Sequence, residues 1–288
     1  MSLQGSTIVV TGGAGFVGSR LCGRLAEHGH RVISIDNYFT GVRGVEVPGV
    51  DYREAHTKDI GAAVPERPDI VFHLGEYSRV EASLGEPEVV WDMNVHGTFQ
   101  VLEYWREKRP KLIYAGSSTK FADGGLGRDQ SPYAFTKATN SELVRNYGDW
   151  YSLPFAITYF YNVYGPGERA GAYGTLIEIF RQRLLAGEEL PVTSPGTQRR
   201  IFTHVDDIVD GLLLIGERGE GDEFGLGAAE SFSILEIAEM FGATVVMQPE
   251  ARGNRMTAKL DVTKSSALGW TASNSVRDYI AGIVAARG

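Results

Sequence analysis

Tyr133 and Lys137 stand four residues apart in "SPYAFTKATN", behind a Ser-Pro pair. On a helix, residues at i and i+4 lie one above the other on the same face. Lys137 can then hold a positive charge beside the Tyr133 phenol. A free tyrosine, with a pKa of about 10, is a poor base near neutrality. A nearby ammonium favours the phenolate and brings the phenol toward the range useful for general acid/base work. The pair alone fits an exposed helix face equally well, so its surroundings decide its meaning.

One neighbour is "YAGSSTKFAD", where Ser117 and Ser118 follow an apolar, strand-like run. Open α/β sheets bind ligands at the carboxyl edge of such strands. A hydroxyl there can share a proton with Tyr133 and with a substrate hydroxyl. It can also simply cap a loop. Ser117 is the candidate, with Ser118 in support.

A second neighbour is "VVTGGAGFVGSRL". It contains Gly12-x-x-Gly15-x-x-Gly18, overlapped by a second pattern from Gly13. Such glycines allow positive φ and let the backbone approach a pyrophosphate. Phe16 and Val17 open the helix that follows, whose first N–H groups and positive dipole end favour the same group. A glycine pattern alone is weak. Here it follows a strand, opens a helix and precedes Asp36 at the end of the next strand, the context the motif requires. Asp36 should accept from the adenosine ribose hydroxyls and repel a 2′-phosphate, which points to NAD rather than NADP. An oxidised nicotinamide would add its own positive charge near Tyr133.

These residues need a scaffold. "STIVV", "RVISID", "DIVFHLG" and "KLIYAGS" are continuous apolar runs, as in strands buried on both faces. Helical stretches alternate with them, near Gly15–His28, over "PEVVWDMNVHGTFQVLEYWREK" and over "SPYAFTKATNSELVRNYGDWYS". The order predicts an α/β fold with a doubly wound parallel sheet of Rossmann type. After about residue 160 the pattern loosens into shorter helices, including "GTLIEIFRQRLLAG", "DDIVDGLLLIGE" and "SILEIAEMFG". We expect a cofactor-binding domain over 1–160 and a smaller α/β substrate-binding lobe over 161–288, with the boundary crossed more than once.

The 288 residues carry a net charge of -8 and 43% hydrophobic residues. That suits a soluble protein with a sizeable core. There is no basic block, which argues against nucleic acid as a partner. No apolar run has membrane-spanning length. The single cysteine, Cys22, excludes an internal disulfide and, with no secretory layout at the start, predicts a cytoplasmic location. The six histidines lack metal-site spacing, so no metal is expected.

The sequence resembles the extended short-chain dehydrogenase/reductase family of nucleotide-sugar epimerases and dehydratases, nearest to the UDP-hexose 4-epimerase type. The resemblance runs nearly end to end through "TGGAGFVGS", "DNYFTG", "KDI", "FHLGEYSRVEAS", "NVHGT", "YAGSST", "SPYAFTK", "YNVYGPGE", "RRIFTHVDD" and "DVTKSSALGW". It implies an NAD-carrying Rossmann domain, a lobe gripping a nucleotide-diphosphate sugar, and a catalytic set of Ser117, Tyr133 and Lys137. By position, it places Asp36 and Asn37 at the adenosine ribose, Asp59 and Ile60 by the adenine, and Leu74 and Gly75 along the cofactor. Asn94 should fix that last strand end. Asn162 should reach the substrate's diphosphate or sugar. Arg200 should clamp the nucleotide, since a guanidinium suits phosphate oxygens. Arg255 is either a second clamp or a surface arginine. The resemblance also implies a homodimer through "VVWDMNVHGTFQVLEYW" and "TKATNSELVRNYGDWY", although the same apolar stripes could simply pack on the sheet.

Within the family, the related 4,6-dehydratases carry Thr-Asp-Glu after the strand and the uronate decarboxylases a glutamate. Fucose-nucleotide epimerase-reductases rely on a cysteine and a histidine near the active site. Here Ser117-Ser118-Thr119 has no carboxylate, and Cys22 lies on the first helix. What remains needs only Ser, Tyr, Lys and NAD, the 4-epimerase pattern. The rivals are a nucleotide-4-ketosugar reductase and a silent NAD-binding protein. The latter would be expected to lose Tyr133 or Lys137. Uridine diphosphate is assumed from the commonest epimerases. Several positions depart from the family pattern. The usual Val-Tyr-Gly is Lys120-Phe121-Ala122, and the segment before Tyr133 is short. Tyr159 replaces an arginine, Arg200-Ile201-Phe202 replaces "RDF", and Glu76 stands where a small residue is usual.

Overall fold

The computed structural model describes residues 5–44, 46–171, 173–250 and 261–287. Four strands follow the apolar runs read from the sequence, β1 (Thr7–Thr11), β2 (Arg31–Asp36), β4 (Ile70–His73) and β5 (Lys111–Ser117), and two more join them, β3 (Val50–Glu54) and β6 (Phe155–Phe160). A seventh, Gly221–Leu226, comes from far along the chain and lies beside β6. The order across the sheet is Gly221–Leu226, β6, β5, β4, β1, β2, β3. Every neighbouring pair is parallel. This is the doubly wound Rossmann arrangement, and its strand order reverses between β1 and β4. A crevice opens at the carboxyl ends there, the place where such sheets take ligands.

Both faces of the sheet are covered, which explains the unbroken apolar runs. Helix Phe16–Glu27 and helix Val205–Arg218 pack on one face, through Leu21, Leu25, Ile208, Leu212 and Ile215. Cys22 is buried in this core, and burial pushes its thiol up to about 12. Helices Thr98–Lys108 and Pro132–Tyr151 pack on the other face, through Val101, Leu102, Trp105 and Val144. A separate core gathers Tyr164, Ile177, Phe180, Phe232, Phe241 and Ile280 into the smaller lobe. Its helices end as their sequences ask. Gly187 and Gly242 close two of them in the left-handed conformation, and Ser233 with Glu236 forms a capping box.

"PEVVWDMNVHGTFQVLEYWREK" is not one regular helix. Pro87–Val90 and Thr98–Lys108 are α-helical, joined by a π turn over Trp91–Gly97. Such turns often mark functional positions, and this one carries Asn94. Among the described residues, no helix is long and apolar enough to cross a membrane.

Candidate functional site

The glycine turn leaves the end of β1 at the strand-order reversal. Gly12 has φ +75° and donates its N–H to Ile35. A Cβ on Gly18 would sit 2.0 Å from the Gly12 carbonyl oxygen. Turn and helix therefore touch backbone to backbone. Asp36 ends β2, accepts from the Ala14 N–H at 2.9 Å and the Tyr38 N–H at 2.8 Å, and is raised above the usual carboxylate range by burial.

A cavity of about 620 Å³ runs from this turn along the sheet edge into the smaller lobe. Its wall includes Gly12, Gly15, Phe16, Val17, Gly18, Asp36, Asn37, Leu74 and Gly75. Ser117, Tyr133, Lys137, Asn162 and Arg200 line the same cavity. Fourteen expected site residues thus face one space. Asn94 does not line it but acts behind it. Its side chain accepts from the Tyr77 N–H at 2.7 Å and donates to Thr136 at 3.0 Å, tying down the loop after β4. Asp59 is exposed and precedes the short helix Ile60–Ala63, while Ile60 is buried in the core. Ala55, His56 and Thr57 line the cavity in their place. Arg255 lies outside the described residues.

Ser131 caps the Pro132–Tyr151 helix by accepting from Ala134, and Pro132 occupies its first turn. That start aims Tyr133 at the end of β5. The Tyr133 hydroxyl donates to Ser117 Oγ at 3.1 Å. Thr119 reinforces the serine, with its hydroxyl 2.9 Å and its N–H 3.3 Å from the same Oγ. Ser117, Ser118 and Thr119 are all buried.

Lys137 takes a different path from the one its spacing suggests. Its ammonium donates to the Ala115 carbonyl and forms an ion pair with Glu76. Glu76 Oε1 also accepts from Thr98 at 2.7 Å, Asn140 at 2.8 Å and Tyr114 at 3.1 Å. Burial raises the Glu76 carboxyl, but the Lys137 charge and these donors hold it below its ordinary value. His73 joins the network through Thr98 at 2.9 Å and Thr11 at 2.7 Å, and burial lowers it to about 4, so it is neutral.

Of the other departures, Arg200 and Phe202 line the cavity, whereas those at 120, 121 and 159 meet away from it. Lys120 Nζ donates to the Tyr159 hydroxyl at 3.2 Å, and Phe121 stacks edge-on against Tyr159 at 4.8 Å. Tyr159 in turn donates to Asp222 at 2.7 Å. The changes at 120, 121 and 159 are one packing solution on the far side of β6.

Two cavity arginines escaped the sequence reading. Arg79 donates to the Tyr173 carbonyl at 2.7 Å, and Arg169 reaches across to the Ala14 carbonyl at 3.1 Å. Both sit on loops with no periodic signal. Their only trace was a cation inside a quoted motif, "SRVEAS" for one and just after "YGPGE" for the other.

The turn fits a dinucleotide. Backbone stands where side chains would block a pyrophosphate, the helix N-terminus is open to the cavity, and a buried carboxylate ends β2. The profile of the NAD dependent epimerase/dehydratase family matches residues 8–227. The chain is 27% identical to a putative UDP-glucose 4-epimerase of Methanocaldococcus jannaschii, covering 96% of this chain and 97% of that protein. It is also 27% identical to a UDP-N-acetyl-alpha-D-glucosaminuronate decarboxylase of Bacillus cytotoxicus, over 80% of this chain and 78% of that one. A solved UDP-glucose 4-epimerase of Thermus thermophilus in complex with NAD superposes with a TM-score of 0.89, at 26% identity over 98% of each chain. The chain is a member of the NAD dependent epimerase/dehydratase family, and NAD is its cofactor.

Proposed function

We propose that the protein inverts C4 of a nucleotide-diphosphate sugar of the UDP-glucose/UDP-galactose type. The observation that carries this is the Ser117–Tyr133 hydrogen bond on the wall of the NAD cavity, within a Ser117-Ser118-Thr119 run that offers hydroxyls and no carboxylate. Glu76, the carboxylate closest in sequence to the cofactor strand end, is committed to Lys137 and three donors. It is not disposed to act as an acid or base on the sugar. Relatives named as epimerases are similar along the whole chain, which supports the same reading.

NAD, when bound, supplies the oxidation and re-reduction of the sugar carbon with no net redox change. Tyr133 takes the proton of the 4-hydroxyl and returns it to the epimer. Ser117 bridges the two hydroxyls, held in place by Thr119. Arg200 and Asn162, which line the cavity, hold the diphosphate end while the sugar turns over. Asn162 has the geometry of a fixed post: its side-chain amide is anchored to the Ile201 carbonyl at 2.9 Å.

We also infer a homodimer. Trp91, Phe99, Trp150 and Tyr151 are exposed on neighbouring helical segments, Trp150 by 62%. Large exposed apolar rings on helices that pack against one another mark a candidate interaction surface.

The deciding experiment offers purified protein, with no added cofactor, UDP-glucose, UDP-galactose and their N-acetyl forms in separate tubes. A C4 epimer resolved by chromatography is expected. An intact, NAD-loaded protein that converts none of the four would overturn the assignment.

A further inference from the structure

The cofactor cavity is walled in part by residues from far along the chain. Beyond the short strand Val163–Tyr164, Arg169 and Tyr173 both line it. Each is bonded to the cofactor half. Arg169 donates to the Ala14 carbonyl at 3.1 Å, on the glycine turn itself. The Tyr173 hydroxyl lies 2.8 and 2.7 Å from the two carboxylate oxygens of Glu86, at the start of the helix Pro87–Val90. The Tyr173 carbonyl accepts from Arg79 Nε at 2.7 Å. Its ring meets Phe39 edge-on at 5.4 Å, just beyond the Asp36 end of β2. The contacts therefore reach three separate places: the glycine turn, the loop after β2 and the loop after β4.

Both ends of this fastening are held in place. Glu86 also accepts from the Tyr77 hydroxyl at 2.8 Å. On the other side, Glu168 accepts from the Gly165 N–H at 2.6 Å and from the Thr175 hydroxyl, and the Thr175 N–H donates to the Arg169 carbonyl at 3.2 Å. These bonds shape the backbone that presents Arg169 and Tyr173.

The charge on Arg169 is not spent. Among the described residues no carboxylate lies within ion-pair distance of it, and its one hydrogen bond uses a single guanidinium nitrogen. The turn it reaches is the one whose backbone and helix N-terminus suit a pyrophosphate. A guanidinium presents several donors in a fork that matches phosphate oxygens. A cation without a counter-ion beside an anion cradle has its natural partner in the bound anion.

We propose that Arg169 and Tyr173 retain the cofactor: Arg169 donates to the pyrophosphate of bound NAD, and the Tyr173–Glu86 and Arg79–Tyr173 bonds fasten the loop that carries it, so that NAD leaves only when these bonds open. The inference rests on NAD lying at the glycine turn and not on the identity of the sugar. It adds residues beyond Val163 to a cofactor site otherwise built from the first half of the chain. It also gives a physical reason for NAD to stay bound through a cycle with no net redox change.

The test measures how fast NAD leaves. Protein is loaded with radiolabelled NAD, stripped of free label and chased with excess unlabelled NAD. Arg169→Gln should speed release about tenfold, since it removes a donor to a charged group. Tyr173→Phe keeps the ring on Phe39, loses only the bond to Glu86 and should speed release by a similar factor. Glu86→Ala severs that bond from the other side, so the proposal stays testable if Tyr173→Phe does not fold. A merely structural role would lower the thermal midpoint of the apoprotein and leave the release rate of the folded, loaded variants unmoved. Release at the wild-type rate in Arg169→Gln, or in a folded variant lacking the Tyr173–Glu86 bond, overturns the proposal. The readout does not depend on turnover. Faster release in a protein that converts no sugar would sink the epimerase assignment and leave this inference standing.

Discussion

A methyl group on Gly12 would lie 2.9 Å from the Cα of Gly75. The two glycines lie just beyond the ends of adjacent strands, β1 and β4, and their backbones nearly touch on the wall of the cavity. Gly12 also has φ +75°, where a side chain is strained by about 1–3 kcal/mol. Gly12→Ala should therefore lower stability and abolish tight NAD binding together. Thermal unfolding and NAD content of the purified protein check this. A variant that keeps full NAD occupancy would show that the turn tolerates a Cβ and is not the pyrophosphate cradle.

Tyr133→Phe removes the only ionisable group of that ring and should slow epimer formation by about 10²–10⁴-fold. The fold and NAD content should be unchanged, because among the described residues the Tyr133 hydroxyl makes one hydrogen bond, to Ser117. Ser117→Ala should lose less, since Thr119 already sits 2.9 Å from the serine and offers a second hydroxyl. Chromatographic assay of both variants decides it. Wild-type rates in Tyr133→Phe would remove Tyr133 from the mechanism.

Trp150→Glu places a charge on the proposed dimer surface and should yield a monomer by light scattering, with thermal stability nearly unchanged for so exposed a residue. A dimer persisting at full strength would put the interface elsewhere.

Glu168 gives stability a pH signature. Burial raises its carboxyl to about 8, against an ordinary value of 4.5. The folded protein thus keeps a proton that the unfolded chain has released, and the folded state is favoured less as pH rises through that window. The contribution is intact below the unfolded value and is lost as pH climbs toward about 8, on the order of 5 kcal/mol at most. Glu168→Gln stays neutral and should flatten the decline. Urea midpoints at mildly acidic and mildly alkaline pH, compared between the two proteins, measure it. Parallel declines would place the titrating group elsewhere.

The cofactor half was readable because its signals are local. A strand, three spaced glycines, a helix and Asp36 all fall within one stretch of chain, and each demands its neighbour. Ser117 and Tyr133 needed only the rule that ligands gather at strand carboxyl ends. The Lys137 environment was not readable, since its ion-pair partner is 61 residues away. Glu76 stood out as an odd residue, but nothing in the sequence says which cation it meets. Asp59 and Ile60 show how a loop's register can slip. Ile60 is an apolar residue with a core to fill, so His56 and Thr57 face the cavity instead. Arg79 and Arg169 arrive on loops whose paths depend on the smaller lobe, and no pattern of spacing encodes that.

The strand Gly221–Leu226 has one more implication, for how the chain is made. It covers the edge of β6, which ends at Phe160. A ribosome must therefore deliver about sixty residues beyond β6 before the sheet is complete. During that interval β6 presents a bare edge, the kind of surface that recruits other strands. The long return of the chain ties completion of the sheet to synthesis of the segment after β6. A nascent chain stalled within that segment should be held by chaperones rather than released folded.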